Sequence, residues 1–117
     1  MNKYTELSDF EINLKVAHIM LGKDNYDWCP DKKEVYLAGI DCGDFLPHGY
    51  FDPCNNPVDA MQIIIENKIS MYFVSDNIGW AARDSDTDYG ELECIDKNYY
   101  RAAMILFLLM KDAENSQ

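Results

Sequence analysis

The chain is poor in basic residues: 10 lysines and arginines stand against 21 aspartates and glutamates, a formal charge of −11. A surface of that sign repels phosphate backbones and anionic membranes, which argues against direct nucleic-acid binding. Long hydrophobic runs are also missing. The longest, Ala102–Met110, falls far short of the about 20 residues that span a bilayer. The N-terminus lacks the basic, apolar and small-residue pattern of a secretory signal, so a cytoplasmic protein is expected. Cys29, Cys42, Cys54 and Cys94 form no CxxC pair, and reduced thiols are the natural state in that compartment. No nucleotide-binding glycine-rich loop, HExxH, GxSxG or kinase signature occurs, so no catalytic residue is assigned. Repeats, linkers and low-complexity segments are absent, and 117 residues suffice for one domain with its own core.

What the chain does contain is apolar and aromatic: 48% hydrophobic and 13% aromatic residues, the composition of a globular fold. The stretch Phe51–Phe73 organises the rest. Asn56 suits an N-cap, Pro57 the first helical position and Asp59 the third, where a carboxylate meets free N–H groups. This helix is expected to end near Glu66, with Asn67 as the left-handed cap, and Ile69–Val74 to follow as a strand. Ser8 with Glu11 forms a capping-box pattern opening a first helix that Gly22 stops after Leu21. Phe10, Leu14, Ala17 and Leu21 face one side of it and Ile12, Val16 and Ile19 the other, so two layers should sandwich it. Its polar stripe is Glu11, Lys15 and His18, with Glu11 and Lys15 spaced for an i,i+4 ion pair. The alternation Phe10, Ile12, Leu14, Val16 also fits a strand, and the cap and glycine stop decide for helix.

Elsewhere, residues 22–34 read as a polar turn region anchored by Trp28, and 34–38 as a short strand. Residues 39–55, with three glycines and two prolines among aromatics, read as an ordered but irregular loop. Ser-Asp-Asn-Ile at 75–78 makes a hairpin turn between 69–74 and 79–83. Residues 84–96 read as an acidic loop. A last helix over about 98–113 is apolar almost all round, with Arg101 its only charge before Lys111, and belongs in a core or a dimer interface. The fold class is therefore α+β: three helices packed on a short antiparallel sheet.

Several residues invite a chemical role. Asp84, Asp86 and Asp88 match the first three ligand positions of an EF-hand, but Gly90 comes one residue late and the twelfth position is Ile95 rather than glutamate. The four cysteines with His18 and His48 lack the close ligand pairs of structural zinc sites, so no metal and no cofactor is assigned. Cys54 stands near His48 and just before a helix N-terminus, an arrangement that can favour a thiolate. Binding candidates are Trp28, His48, Asp52, Cys54, Asn55, Asn56, Asn67 and Lys68. For Asp52, Asn55, Asn56 and Asn67, turn and cap roles are the competing account, and for Trp28 packing is. Asp84, Asp86, Asp88, Glu91, Glu93 and Asp96 form a candidate acidic patch.

The strings FDPCNNPVDAMQIIIENKIS, LSDFEIN near the start and RAAMILFLLM near the end resemble the small NinX-like proteins of tailed bacteriophages and prophages. That family's pattern is a PCNNP turn, a D-A-W-P-I-I helix start, N-K-I and a later N-P-L-R-A-A-M-I. Here Pro53 to Pro57, Asp59, Ala60, Ile63, Ile64 and Asn67 to Ile69 fit it, as do Asn98 and Arg101 to Ile105. Met61-Gln62 replace Trp-Pro, and Tyr99-Tyr100 replace Pro-Leu. The resemblance implies an accessory protein of a lambda-like delayed-early region, acting in the bacterial host cytoplasm, with no biochemical activity to carry over.

The function expected from these readings is binding of a host or phage protein, in one version as an inhibitor whose carboxylates imitate nucleic acid. The alternative is a small-molecule- or metal-binding protein, or an enzyme, using the Gly39–Asn56 loop. Homo-oligomerisation through the C-terminal helix is compatible with either.

Overall fold

The computed structural model describes residues 3–41, 44–84 and 92–115. Among these residues three helices and six strands follow in the order α1 (Asp9–Met20), β1 (Tyr26–Cys29), β2 (Glu34–Asp41), β3 (Asp44–Tyr50), α2 (Pro57–Glu66), β4 (Ile69–Ser75), β5 (Gly79–Asp84), β6 (Glu93–Asp96) and α3 (Tyr99–Asn115). The class is the α+β expected, but the strands form two three-stranded antiparallel sheets, β1-β2-β3 and β4-β5-β6, rather than one.

Helix α3 is the hub. Residues Ala102 to Leu108 are all buried, and the helix packs on β4, β5 and β6, on α1 and on α2. Its all-round apolarity is thus accounted for within one chain. Helix α1 lies between α3 and the first sheet, with Ile12, Val16 and Ala17 fully buried, which fulfils the expectation of a helix sandwiched between two layers. Its entry is the predicted capping box: the Ser8 hydroxyl accepts from the Glu11 N–H, and the Glu11 carboxylate accepts from the Ser8 N–H. The expected Glu11–Lys15 contact does not close to an ion pair, although the Lys15 charge, after the hydrogen bonds from Ser8, still helps to lower the Glu11 pKa. Among the described residues Lys15 makes no ion pair.

The irregular loop expected over residues 39–55 is mostly strand. β2 continues to Asp41 and β3 fills Asp44–Tyr50. Pro47 is tolerated because β3 is a sheet edge, where no outward partner needs its missing N–H. The register steps from Leu37↔Gly49 to Ala38↔Pro47, which leaves His48 as the extra residue of a bulge. β1 likewise lies in what reads as a turn region, and β6 in what reads as an acidic loop.

At the end of α2 the cap shifts by one residue. Asn67 sits at φ −97° and Lys68, at φ 56°, takes the left-handed conformation. The Lys68 N–H donates to the Ile65 carbonyl and the Asn67 side-chain amide to the Ile63 carbonyl, satisfying two of the last carbonyls of α2. The 75–78 turn is as predicted, closed by the Ile78 N–H on the Ser75 carbonyl. Among the described residues no helix is long and apolar enough to cross a membrane.

Candidate functional site

The turn at 52–56 is where three distant segments meet. Its backbone folds back through the Asn55 and Asn56 N–H groups on the Asp52 carbonyl, and the Asp52 N–H donates to the Asp59 carboxylate at 3.0 Å. Asp59 therefore locks the approach to α2. Asn56 caps α2 as expected, its side-chain oxygen accepting from the Val58 N–H.

Asn13 reaches the turn from α1. It is buried, its amide donates to Asp52 Oδ1 at 2.7 Å, and its Oδ1 accepts from the Cys54 N–H at 3.0 Å. From the start of α3, Asn98 Nδ2 donates to the Cys54 carbonyl at 2.9 Å and to Asn55 Oδ1 at 3.2 Å. The Asn98 Oδ1 accepts from the Tyr100 and Arg101 N–H groups, so the same side chain caps α3. Both backbone polar groups of buried Cys54 are thus satisfied by asparagines from other elements.

Arg101 closes the network. Its guanidinium contacts Asp9 Oδ1 at 2.7 Å and Asp96 Oδ1 at 3.2 Å, and donates to the carbonyls of Thr5 and Leu7. Burial works against its charge, but the hydrogen bond to Asp9 and the carboxylate of Asp96 outweigh this and hold its pKa above the ordinary value. Asn55 Nδ2 completes the ring by donating to Asp9 Oδ2 at 3.2 Å and to Asp52.

The arrangement is a polar clasp, and its chemistry is not nucleophilic. Cys54 is fully buried, and that burial pushes its thiol pKa up, opposite to the thiolate that a helix N-terminus would favour. His48 stands at the β3 bulge, its side chain outside the described residues. Trp28 does not join the turn. Its ring lies on Tyr26 at 5.7 Å and remains 45% exposed, so it is not the packed anchor expected. A cavity of about 230 Å³ does border Tyr50–Asp52, but its other wall is Lys33 and the start of β2, Glu34 and Val35, rather than α2.

The candidate acidic patch divides by strand parity. Asp84 and Asp96 fall on the face of the second sheet that packs on α3; Asp84 is buried, and Asp96 is held by Arg101 and by the Asn98 N–H. Glu93 points outward, accepting from the Tyr72 hydroxyl at 2.6 Å beside Arg83 at 3.5 Å. Asp86, Asp88 and Glu91 lie outside the described residues. Among the described residues no group of three His, Cys, Asp or Glu side chains could hold a metal ion.

Asp9, Asn13, Asn98 and Arg101 escape a sequence reading that looks for sites, although each carries a signal. Asn13 sits between Ile12 and Leu14 on a helix otherwise apolar there, and Arg101 is the lone charge in an apolar helix. A buried polar residue implies a partner, but only the fold shows which one.

A second feature faces outward. On β4–β6 the row Tyr72–Ala81–Ile95 crosses the sheet on its solvent side, Val74 is the extra residue of a β4 bulge, Ile78 lies at the hairpin tip, and Phe73 falls on the α3-facing side with Trp80. Tyr72, Phe73, Val74, Ile78 and Ile95 are all exposed, Phe73 by 51%. The inner end of Phe73 meets Trp80, which packs edge-on against Tyr99.

The sequence matches the family model described as Bacteriophage P22, NinX over residues 3–111. No curated protein matches it. The fold is similar to a crystal structure of a phage protein from Bacillus cereus ATCC 14579, with a TM-score of 0.60 and 14% identity over 96% of this chain and 94% of that one. At that identity the likeness is one of fold.

Proposed function

The chain belongs to the bacteriophage P22 NinX family, and we propose that this phage accessory protein acts in the host cytoplasm by binding a host or phage protein through the outer face of the second sheet. The observation that carries the reading is the exposure of Tyr72 and Ile95 on that face, with exposed Val74 and Ile78 at the hairpin end of the sheet. Large apolar side chains left exposed together on one sheet face favour an interaction surface. The net charge of −11 adds a preference for a basic partner and steers its approach. With Asp84 and Asp96 engaged internally, apolar contact rather than a row of phosphate-like carboxylates supplies the affinity. Imitation of nucleic acid would rest on Glu93 and on residues outside the described part.

The test is gentle isolation of the tagged protein from host cells, with native mass spectrometry of what accompanies it. A partner should leave when Tyr72 and Ile95 are both changed to aspartate, and stay when exposed Val58 of α2 is changed the same way. Raising salt should slow association more than it speeds release. A partner retained by the double variant would assign binding to another surface. A bare chain in every preparation would contradict the proposal.

A further inference from the structure

Away from both features, a groove of about 340 Å³ opens between α1, β1 and α3. Its apolar lining is Leu14, Ile19 and Leu108, and its polar lining is Lys15, His18 and Tyr26, with the Tyr4 ring at one end. Volume and lining suit a small ligand with one polar head: apolar walls and a few convergent polar groups.

The head is specified by charge. Lys15 would ordinarily pair with Glu11 one turn earlier, but that carboxylate holds the Ser8 N–H and hydroxyl, both at 3.1 Å. Asp112, the carboxylate beyond the Tyr4 end of the lining, accepts from the Tyr4 hydroxyl at 2.5 Å and pairs with Lys3 at 3.2 Å. The Lys15 ammonium therefore lines the groove with neither carboxylate in an ion pair with it. One turn along, His18 Nδ1 lies 3.2 Å from the Tyr26 hydroxyl. With that hydroxyl donating, the imidazole carries its proton on Nε2, a second donor near Lys15. In a chain of charge −11 a dianion would meet twice the repulsion of a monoanion, so a singly charged head fits best.

We propose that this groove binds a small carboxylate with an apolar body, the carboxylate on Lys15 and His18 and the body against Leu14, Ile19 and Leu108. The site is separate from the β4–β6 face and does not depend on it.

The experiment titrates the full chain with octanoate, octanamide and inorganic phosphate, each followed by heteronuclear NMR. Octanoate should shift the resonances of Lys15, His18, Tyr26 and Leu108 saturably, and octanamide should bind roughly tenfold more weakly, the loss expected of one charge-assisted hydrogen bond. Lys15→Gln should weaken octanoate by a similar factor and leave octanamide unchanged, with His18→Gln as an independent variant of the same head contact. Equal binding of acid and amide would overturn the proposal, because the charge would then contribute nothing. Saturation of the same residues by phosphate at matching affinity would reduce the groove to an anion site and overturn the apolar half. Absence of saturable shifts with octanoate would overturn it entirely.

Discussion

At the residue scale, the 52–56 turn owes its shape to side chains that arrive from elsewhere. Asn13 gives the buried Cys54 N–H its acceptor and Asp52 a donor. Asn13→Ala should destabilise the protein by about 2–3 kcal/mol, because an unsatisfied buried N–H costs its full desolvation; urea unfolding of the two proteins measures it. An Asp52→Ala variant in the same background should then cost less than it does alone, since the two losses share a contact. Gly79 is fixed by space as well as by angle. It has φ 104°, and a Cβ there would meet the Asp96 carbonyl oxygen and Lys97 Cα, each at 2.5 Å. Gly79→Ala should cost about 2 kcal/mol or more, with backbone strain and the clash adding. A thermal melt indistinguishable from wild type would mean that β6 can move aside.

At the element scale, the helix ends are separable devices with opposite prospects for improvement. The Schellman-type end of α2 places Lys68 in the left-handed region, where glycine has no penalty. Lys68→Gly should stabilise by about 0.5–1 kcal/mol, read as a higher urea midpoint at unchanged slope. The start of α1 is already well built. The hydrogen bond from the Ser8 N–H, then that from its hydroxyl, holds the Glu11 carboxyl below its ordinary 4.5. A depressed native pKa contributes stability that is fully present above that ordinary value and is lost as pH falls through the depressed one. Ser8→Ala should accordingly lower the melting temperature at neutral pH, and the gap from wild type should narrow as pH drops below 4.5. A gap independent of pH would show that the hydroxyl caps α1 without help from the carboxylate.

At the scale of the whole molecule, α3 joins the second sheet to both other helices, and α1 links it to the first sheet, so opening the core means releasing most of the fold. The thiols report this. Cys54 and Cys94 are buried and Cys29 is partly exposed. Alkylation followed site by site by mass spectrometry should modify Cys29 quickly, and Cys54 and Cys94 only through large-scale unfolding, at similar rates. Faster labelling of Cys54 alone would reveal that the asparagine clasp opens locally. The apolar β4–β6 face has the opposite character. It needs no unfolding to be reached, which is why partner binding is proposed there.

The sequence alone determined α1, α2, β4, β5 and α3 to within a residue or two, the 75–78 turn and the α+β class. Caps, glycine stops and apolar periodicity act between neighbours along the chain, and Ser8, Asn56, Pro57 and Gly22 carry their information locally. Tertiary structure decided the rest. β3 exists because an edge position and a bulge accommodate Pro47, which pairing alone reveals. Asp84 and Asp96 turn inward while Glu93 turns outward because strand register sets parity. The clasp joins Asp9 and Asn13 to Asn98 and Arg101 across nearly the whole chain. Periodicity cannot say which buried polar groups meet, since each needs only some partner, and the packing of α1 and α3 around the turn selects the one it has.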